Sequence, residues 1–327
     1  MNAENNFQAA LSSAVQTVQY LRQRLNQVLI GQSSVIDETL VAFMAGGHIL
    51  LEGVPGTGKT LLVRALAQSF GGHFNRIQFT PDLMPSDITG SYWFNGKEQV
   101  FVLRQGPVFT HLLLADEINR APAKTQAALL QVMQEYAVSL DGKTHLVPRP
   151  FMVLATQNPI EQEGTYPLPE AQLDRFMFKV LVDYPNHQDE VRLVNAVTTA
   201  HNNDILTMHT PEQSVSSEQI IALQNTASGI TVDSHIVDYA VRLVAATRQS
   251  YGLSVGAGPR AGIALINGAK AHALLSGSPF ATPDNVKAVC LPTLRHRVRL
   301  SIEAEMAGQT IDEILREIIN QTEAPRQ

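Results

Sequence analysis

The chain has 327 residues, 44% of them hydrophobic and 17% charged, with a formal net charge of −6. That length accommodates two domains and a sizeable core, and the share of apolar residues excludes a disordered chain. The acidic balance argues against a surface given over to nucleic acid, and no run reaches the roughly 18 apolar residues that cross a membrane.

Met1-Asn2-Ala3-Glu4-Asn5-Asn6 has no basic-then-apolar leader pattern, so a cytoplasmic protein is expected. Leu11, Val15, Val18, Leu21, Leu25 and Val28 recur at spacings of three and four, which predicts a helix over residues 8–28. Ile30-Gly31-Gln32 breaks it, and a second helix starts near Ser34. Ile49-Leu50-Leu51 reads as a buried strand. After it comes Gly53-Val54-Pro55-Gly56-Thr57-Gly58-Lys59-Thr60, a complete phosphate-binding loop, and Leu61 to Ala67 then reads as a helix. Backbone N–H groups of such a loop wrap phosphates, aided by the positive end of the helix that Leu61 continues. Lys59 would reach the outer phosphates of a triphosphate, and the Thr60 hydroxyl would hold Mg²⁺.

Short apolar runs follow at residues 74–79, 111–115, 151–156 and 177–182, mostly separated by helical stretches. Strands alternating with helices predict a parallel sheet covered on both faces. Between the first two, the stretch Val100-Phe101-Val102-Leu103-Arg104-Gln105-Gly106-Pro107 suits two apolar hairpin arms. His111 reads as packed at the start of its strand. Leu112-Leu113-Leu114-Ala115-Asp116-Glu117 ends a strand in two acids, which places them at the carboxyl edge with the loop. There Asp116 suits holding Mg²⁺, directly or through water, and Glu117 a general base acting on water. Ala137 to Val147 predicts a second hairpin turning at Asp141-Gly142. The run 151–156 leads to Gln157-Asn158-Pro159. Asn158 there can bond a γ-phosphate oxygen and the attacking water, although Asn-Pro also favours a plain turn.

Near Asp183-Tyr184-Pro185-Asn186 the pattern changes to helical periods alone, at about 186–200, 216–228, 233–249, 259–275, 283–291 and 310–319. The expected domains are therefore 1–185 and 186–327. Cys290 excludes an internal disulfide, reads as a small core residue, and suits a reducing compartment. Arg295-His296-Arg297-Val298-Arg299 is basic enough to suggest nucleic acid, but it reads more readily as a polar helix end and a contact between subunits. The ten histidines show no zinc spacing.

Gly53 to Thr60, Asp116-Glu117 and Asn158 resemble the Walker A, Walker B and sensor 1 elements of an AAA+ ATPase. Residues 114–121, 155–159 and 168–176 and Gly258-Pro259-Arg260-Ala261 are similar to the MoxR family, and the similarity runs over about residues 10–310. The resemblance implies an α/β P-loop NTPase (AAA+) domain, a three-layer parallel sheet, followed by a smaller all-α lid. It implies that Arg175 is an arginine finger given to a neighbouring subunit. It implies that Arg260 is sensor 2, touching the nucleotide of its own subunit. Gly31 and Gln32 match the segment beside the adenine. The stretch leading to Trp93 and Phe94 matches an insertion in the second helix of the sheet domain, with both hairpins directed at a ring pore. Local packing inside the insertion is the other role open to those two aromatics.

The activity implied is ATP hydrolysis to ADP and phosphate in a hexameric ring that remodels or matures a client protein, including by metal or cofactor insertion. A separate partner with a von Willebrand factor A domain is also implied. A nucleic-acid motor and a nucleotide-gated scaffold are the alternatives. The acidic charge speaks against the first, and the intact set Glu117, Asn158 and Arg175 speaks against the second.

Overall fold

The structure, a computed structural model, describes residues 2–54, 56–157, 165–199, 206 and 214–325. The chain opens with α1 (Asn2–Val28) and α2 (Ser33–Met44). The sheet domain then runs through β1 (Ile49–Glu52), α3 (Lys59–Phe70), β2 (Phe74–Gln78), α4 (Pro85–Thr89), β3 (Gly90–Asn95), β4 (Val100–Gln105) and β5 (Leu112–Asp116). It continues through α5 (Ala123–Glu135), β6 (Ala137–Leu140), β7 (Lys143–Leu146), β8 (Met152–Gln157), α6 (Glu170–Leu173) and β9 (Phe178–Leu181).

Five strands form one parallel sheet in the order β2-β5-β8-β1-β9. The central strands β5, β8 and β1 are near-continuous apolar runs because both their faces are covered, whereas the edge strand β2 carries polar residues. Ile49, Leu51, Leu112, Leu114, Leu154 and Val180 face the core shared with α1, α2 and α3. Leu50, Leu113, Ala115, Val153 and Ala155 face the core built on Leu129, Leu130 and Met133 of α5. His48 clamps the amino edge. Its Nδ1 accepts from Val153 N at 3.0 Å and its Nε2 lies 3.1 Å from Met133 O. Burial pushes this imidazole down to about 4, so the ring stays neutral.

The crossover from β2 to β5 holds the five-residue α4 and the antiparallel β3–β4 hairpin, paired from Gly90↔Gln105 to Asn95↔Val100. A second hairpin, β6–β7, closes at Leu140↔Lys143. Asp141 and Gly142 make its turn with φ of +48° and +76°, the two positive values that a tight two-residue hairpin turn requires.

After β9 come helices His187–Thr199, Ser217–Ser228, Ser234–Thr247, Pro259–Leu275, Pro283–Leu294, Ile302–Met306 and Ile311–Gln321. One feature departs from the all-helical expectation: Leu253–Val255 pairs antiparallel with Arg299–Leu300. The basic run makes its bonds within the chain. Arg295 donates to Lys179 O and pairs with Asp312, and His296 Nε2 lies 3.0 Å from Phe176 O. Arg297 donates to Asp174 Oδ1 at 2.7 Å and to the carbonyls of Phe176 and Met177. These struts fasten the lid along the outer strand β9. α1 is fastened to the lid as well, through Gln19 Nε2 and Leu275 O. Cys290 is buried in the lid, and burial pushes its thiol up to about 12. His111 is half-buried, stacked on His73. No helix among the described residues is long and apolar enough to cross a membrane.

Candidate active site

The phosphate loop joins the carboxyl end of β1 to the first turn of α3. Gly56 and Gly58 have φ of +84° and +91°, values that a residue with a Cβ rarely adopts. At Gly53 a Cβ would run into the carbonyl of Val182, so glycine alone lets the loop lie against the end of β9. Thr57 Oγ1 donates to Val54 O at 3.0 Å. Lys59 Nζ donates to Gly53 O at 2.6 Å and Val54 O at 2.8 Å, so its ammonium is folded onto the loop's own carbonyls. Burial lowers its affinity for the proton, while the Asp116 and Glu117 carboxylates raise it.

Two strands away, β5 ends in the paired acids. Glu117 has φ +54°, a left-handed turn that sets its carboxylate off from the strand axis. Thr156 of β8 ties the pair together. Its hydroxyl donates to Asp116 Oδ1 at 2.5 Å and accepts from Glu117 N at 2.8 Å. From the other side, Arg76 of β2 holds Asp116 Oδ2 through Nη2 at 2.6 Å and Nε at 3.1 Å. Gln78 Nε2 donates to Glu117 Oε2 at 2.6 Å, and Arg120 Nη1 lies 3.0 Å from the same oxygen. Arg76 also donates to Gln78 Oε1 at 3.2 Å, which fixes that amide with its NH₂ toward Glu117.

These groups enclose a cavity of about 530 Å³ lined by Gly56, Thr57, Gly58, Lys59, Thr60 and Leu61, faced by Asp116 and Glu117. Arg64, Arg76, Thr156 and Gln157 complete its wall. Backbone amides and a lysine for anionic phosphates thus share one space with two acids. Thr60 and Asp116 offer hard oxygen donors of the kind Mg²⁺ takes, so the donor set fits that ion. Sequence reasoning missed Arg76, Gln78 and Thr156. Their signal was present but weak: two polar residues at alternate positions of a strand, and a hydroxyl just before Gln157.

The other expected residues are distributed as follows. Pro55 and Asn158 lie outside the described residues. Gly31 and Gln32 do not line the cavity. Gln32 Nε2 donates to Asp183 O at 2.7 Å, and Gly31 has φ +79° against Asp189, so this segment is fixed to the link between sheet and lid. Arg175 lies just before β9, where Met177 N bonds His48 O, level with the start of β1. This is the amino edge of the sheet, opposite the phosphate cavity. Arg175 Nη1 donates to Leu130 O at 2.7 Å, and its buried Nε has no hydrogen-bond partner.

Arg260 stands beside it. Its Nη1 is 3.7 Å from Asp174 Oδ2, and Arg175, Arg260, Asp174, Met133 and Gln134 line a second cavity of about 230 Å³. The strands are four to six residues long, so the two edges are roughly 15 Å apart, farther than an arginine reaches. The expectation that Arg260 touches its own subunit's nucleotide therefore disagrees with this placement. The physical reason is the Arg295–Arg297 strut, which docks the lid along β9 and carries the start of helix Pro259–Leu275 to the amino edge.

Comparison with known proteins bears on this geometry. Residues 48–178 match the family described as ATPase family associated with various cellular activities (AAA), and residues 245–318 match the AAA lid domain. The chain is 42% identical to Chaperone MoxR1 of Mycobacterium tuberculosis, over 96% of this chain and 84% of that protein. It is 44% identical to the uncharacterized protein YeaC of Bacillus subtilis, over 93% of this chain and 94% of that one. Protein MoxR of Paracoccus denitrificans is 31% identical, over 85% of this chain and 87% of its own length. A crystal structure of a protein assigned as an ATPase from Cytophaga hutchinsonii superposes with a TM-score of 0.90 at 37% identity, covering all of both chains.

Proposed function

Because the chain belongs to the MoxR family of AAA+ ATPases, we propose that it hydrolyses ATP in a closed ring of six copies and uses the turnover to remodel a client protein. One observation carries the reading: Lys59, Thr60, Asp116 and Glu117 meet in one cavity, while Arg175 and Arg260 stand together at the opposite edge.

When triphosphate enters, Lys59 leaves the carbonyls of Gly53 and Val54 for the outer phosphates. Thr60 and Asp116 would hold Mg²⁺, which when bound lends positive charge to the phosphate oxygens. Glu117 takes the proton of the attacking water, with Asn158 aligning that water. A head-to-tail contact brings the amino edge of one copy against the cavity of the next, and such contacts close into rings. Arg175 and Arg260 then both serve the neighbour's γ-phosphate. Fingers of this kind are worth about 10³–10⁵ in rate in other nucleotide hydrolases. Gly31 and Gln32, fixed to the sheet–lid link, would report the adenine to the lid.

The client contact falls to the β3–β4 hairpin, where Trp93, Phe94 and Phe101 are exposed. A separate protein with a von Willebrand factor A domain is the partner this reading calls for, and co-purification of such a protein would test that part. For the chemistry, Glu117→Gln is expected to bind ATP normally and lose turnover by about 10²-fold or more. Phosphate release at the wild-type rate by that variant would refute the base assignment.

A further inference from the structure

Asp116 has both carboxylate oxygens engaged. Oδ1 takes the Thr156 hydroxyl, and Oδ2 takes two guanidinium N–H groups of Arg76. Mg²⁺ requires near-octahedral oxygen ligands at about 2.0–2.1 Å. An oxygen that already accepts two charged hydrogen bonds has no lone pair for it, and two cations at a few ångströms repel. Arg76 is half exposed on the edge strand β2, whereas Asp116 is only 15% exposed. The arginine is therefore the partner free to leave. The same logic governs Lys59, which is parked on loop carbonyls. Both cations beside the cavity are thus satisfied by groups of the chain itself.

We infer that Arg76 is a placeholder for the divalent cation. It neutralises Asp116 and keeps the carboxylate aimed at the cavity, then gives up Oδ2 when metal loads, so the metal affinity of this protein is set by competition with its own guanidinium. The inference rests on reading the cavity as the nucleotide site.

The test uses the full chain and its variants Arg76→Gln and Arg76→Lys. Binding of mant-ADP without metal is measured first, by fluorescence anisotropy. Mn²⁺ is then titrated at saturating ADP, and free Mn²⁺ is read by electron paramagnetic resonance. Arg76→Gln is expected to bind Mn²⁺ about fivefold more tightly than wild type, the scale of one partly exposed charge pair, with Arg76→Lys in between. In the wild type, the Arg76 Nε–H resonance, identified by its loss in Arg76→Lys, is expected to shift as Mg²⁺ is added with ADP. Equal or weaker Mn²⁺ affinity in Arg76→Gln, with mant-ADP binding intact, would overturn the placeholder role. So would an Arg76 resonance that ignores Mg²⁺. Failure of the wild type to bind mant-ADP would instead remove the nucleotide-site reading beneath it.

Discussion

Thr156 shows how much of the chemistry depends on a residue with no charge. Its hydroxyl accepts from the Glu117 amide and donates to Asp116, so it fixes the relative position of the two acids. Thr156→Val keeps the shape and removes both bonds. An unsatisfied buried amide costs about 1–3 kcal/mol, so we expect kcat to fall about tenfold while ADP affinity changes little. A steady-state kinetic comparison checks this, and an unchanged kcat would count against the role. At this scale the sequence was readable where partners are close in the chain. Gly53 to Thr60 and Asp116-Glu117 declare themselves by spacing. Thr156, Arg76 and Gln78 do not, because they reach the acids only through the strand order β2-β5-β8. Nothing in residues 74–78 taken alone says that Asp116 is the neighbour of Arg76.

Among the elements, the strands and the β6–β7 turn were legible because burial on both faces and an Asp-Gly turn each leave a local imprint. The short strand pair Leu253–Val255 with Arg299–Leu300 left none, since its halves lie more than forty residues apart and hold only two to three residues each. The β3–β4 hairpin is different again. It pairs only with itself, and Trp93, Phe94 and Phe101 are 52%, 52% and 71% exposed. Phe94 and Phe101 touch across the ladder with ring centroids 5.3 Å apart, and Tyr92 OH reaches His145 of the second hairpin at 3.1 Å. The base of the hairpin is thus braced while its tip keeps apolar surface in water, as the proposed client contact requires. Replacing Trp93 and Phe101 together by serine is expected to leave basal ATPase within about twofold and to abolish its stimulation by a permanently unfolded model protein, because tip residues do not touch the site. Stimulation that survives the double change would remove the hairpin from client contact.

Across the whole molecule, the decisive feature is the separation of two groups of residues. The carboxyl edge holds the loop and the acids, and the amino edge holds Arg175 and Arg260. The family resemblance implied that Arg260 touches its own subunit's nucleotide, whereas the structure sets it beside Arg175, with the lid fastened by Arg295, His296 and Arg297 to carbonyls of β9 and of the turn just before it. Those bonds join residues about 120 positions apart, and no local pattern encodes them. On the proposed reading, one chain grips the triphosphate and the next supplies the arginines that complete the cleavage. The most direct measurement is complementation between two inactive variants, Lys59→Ala and Arg175→Ala, mixed in equal amounts and assayed for phosphate release. Random assembly places an intact loop opposite an intact arginine at about a quarter of the contacts, so activity is predicted to return. If mixed assemblies form and the mixture stays as inactive as either variant alone, the shared site is contradicted.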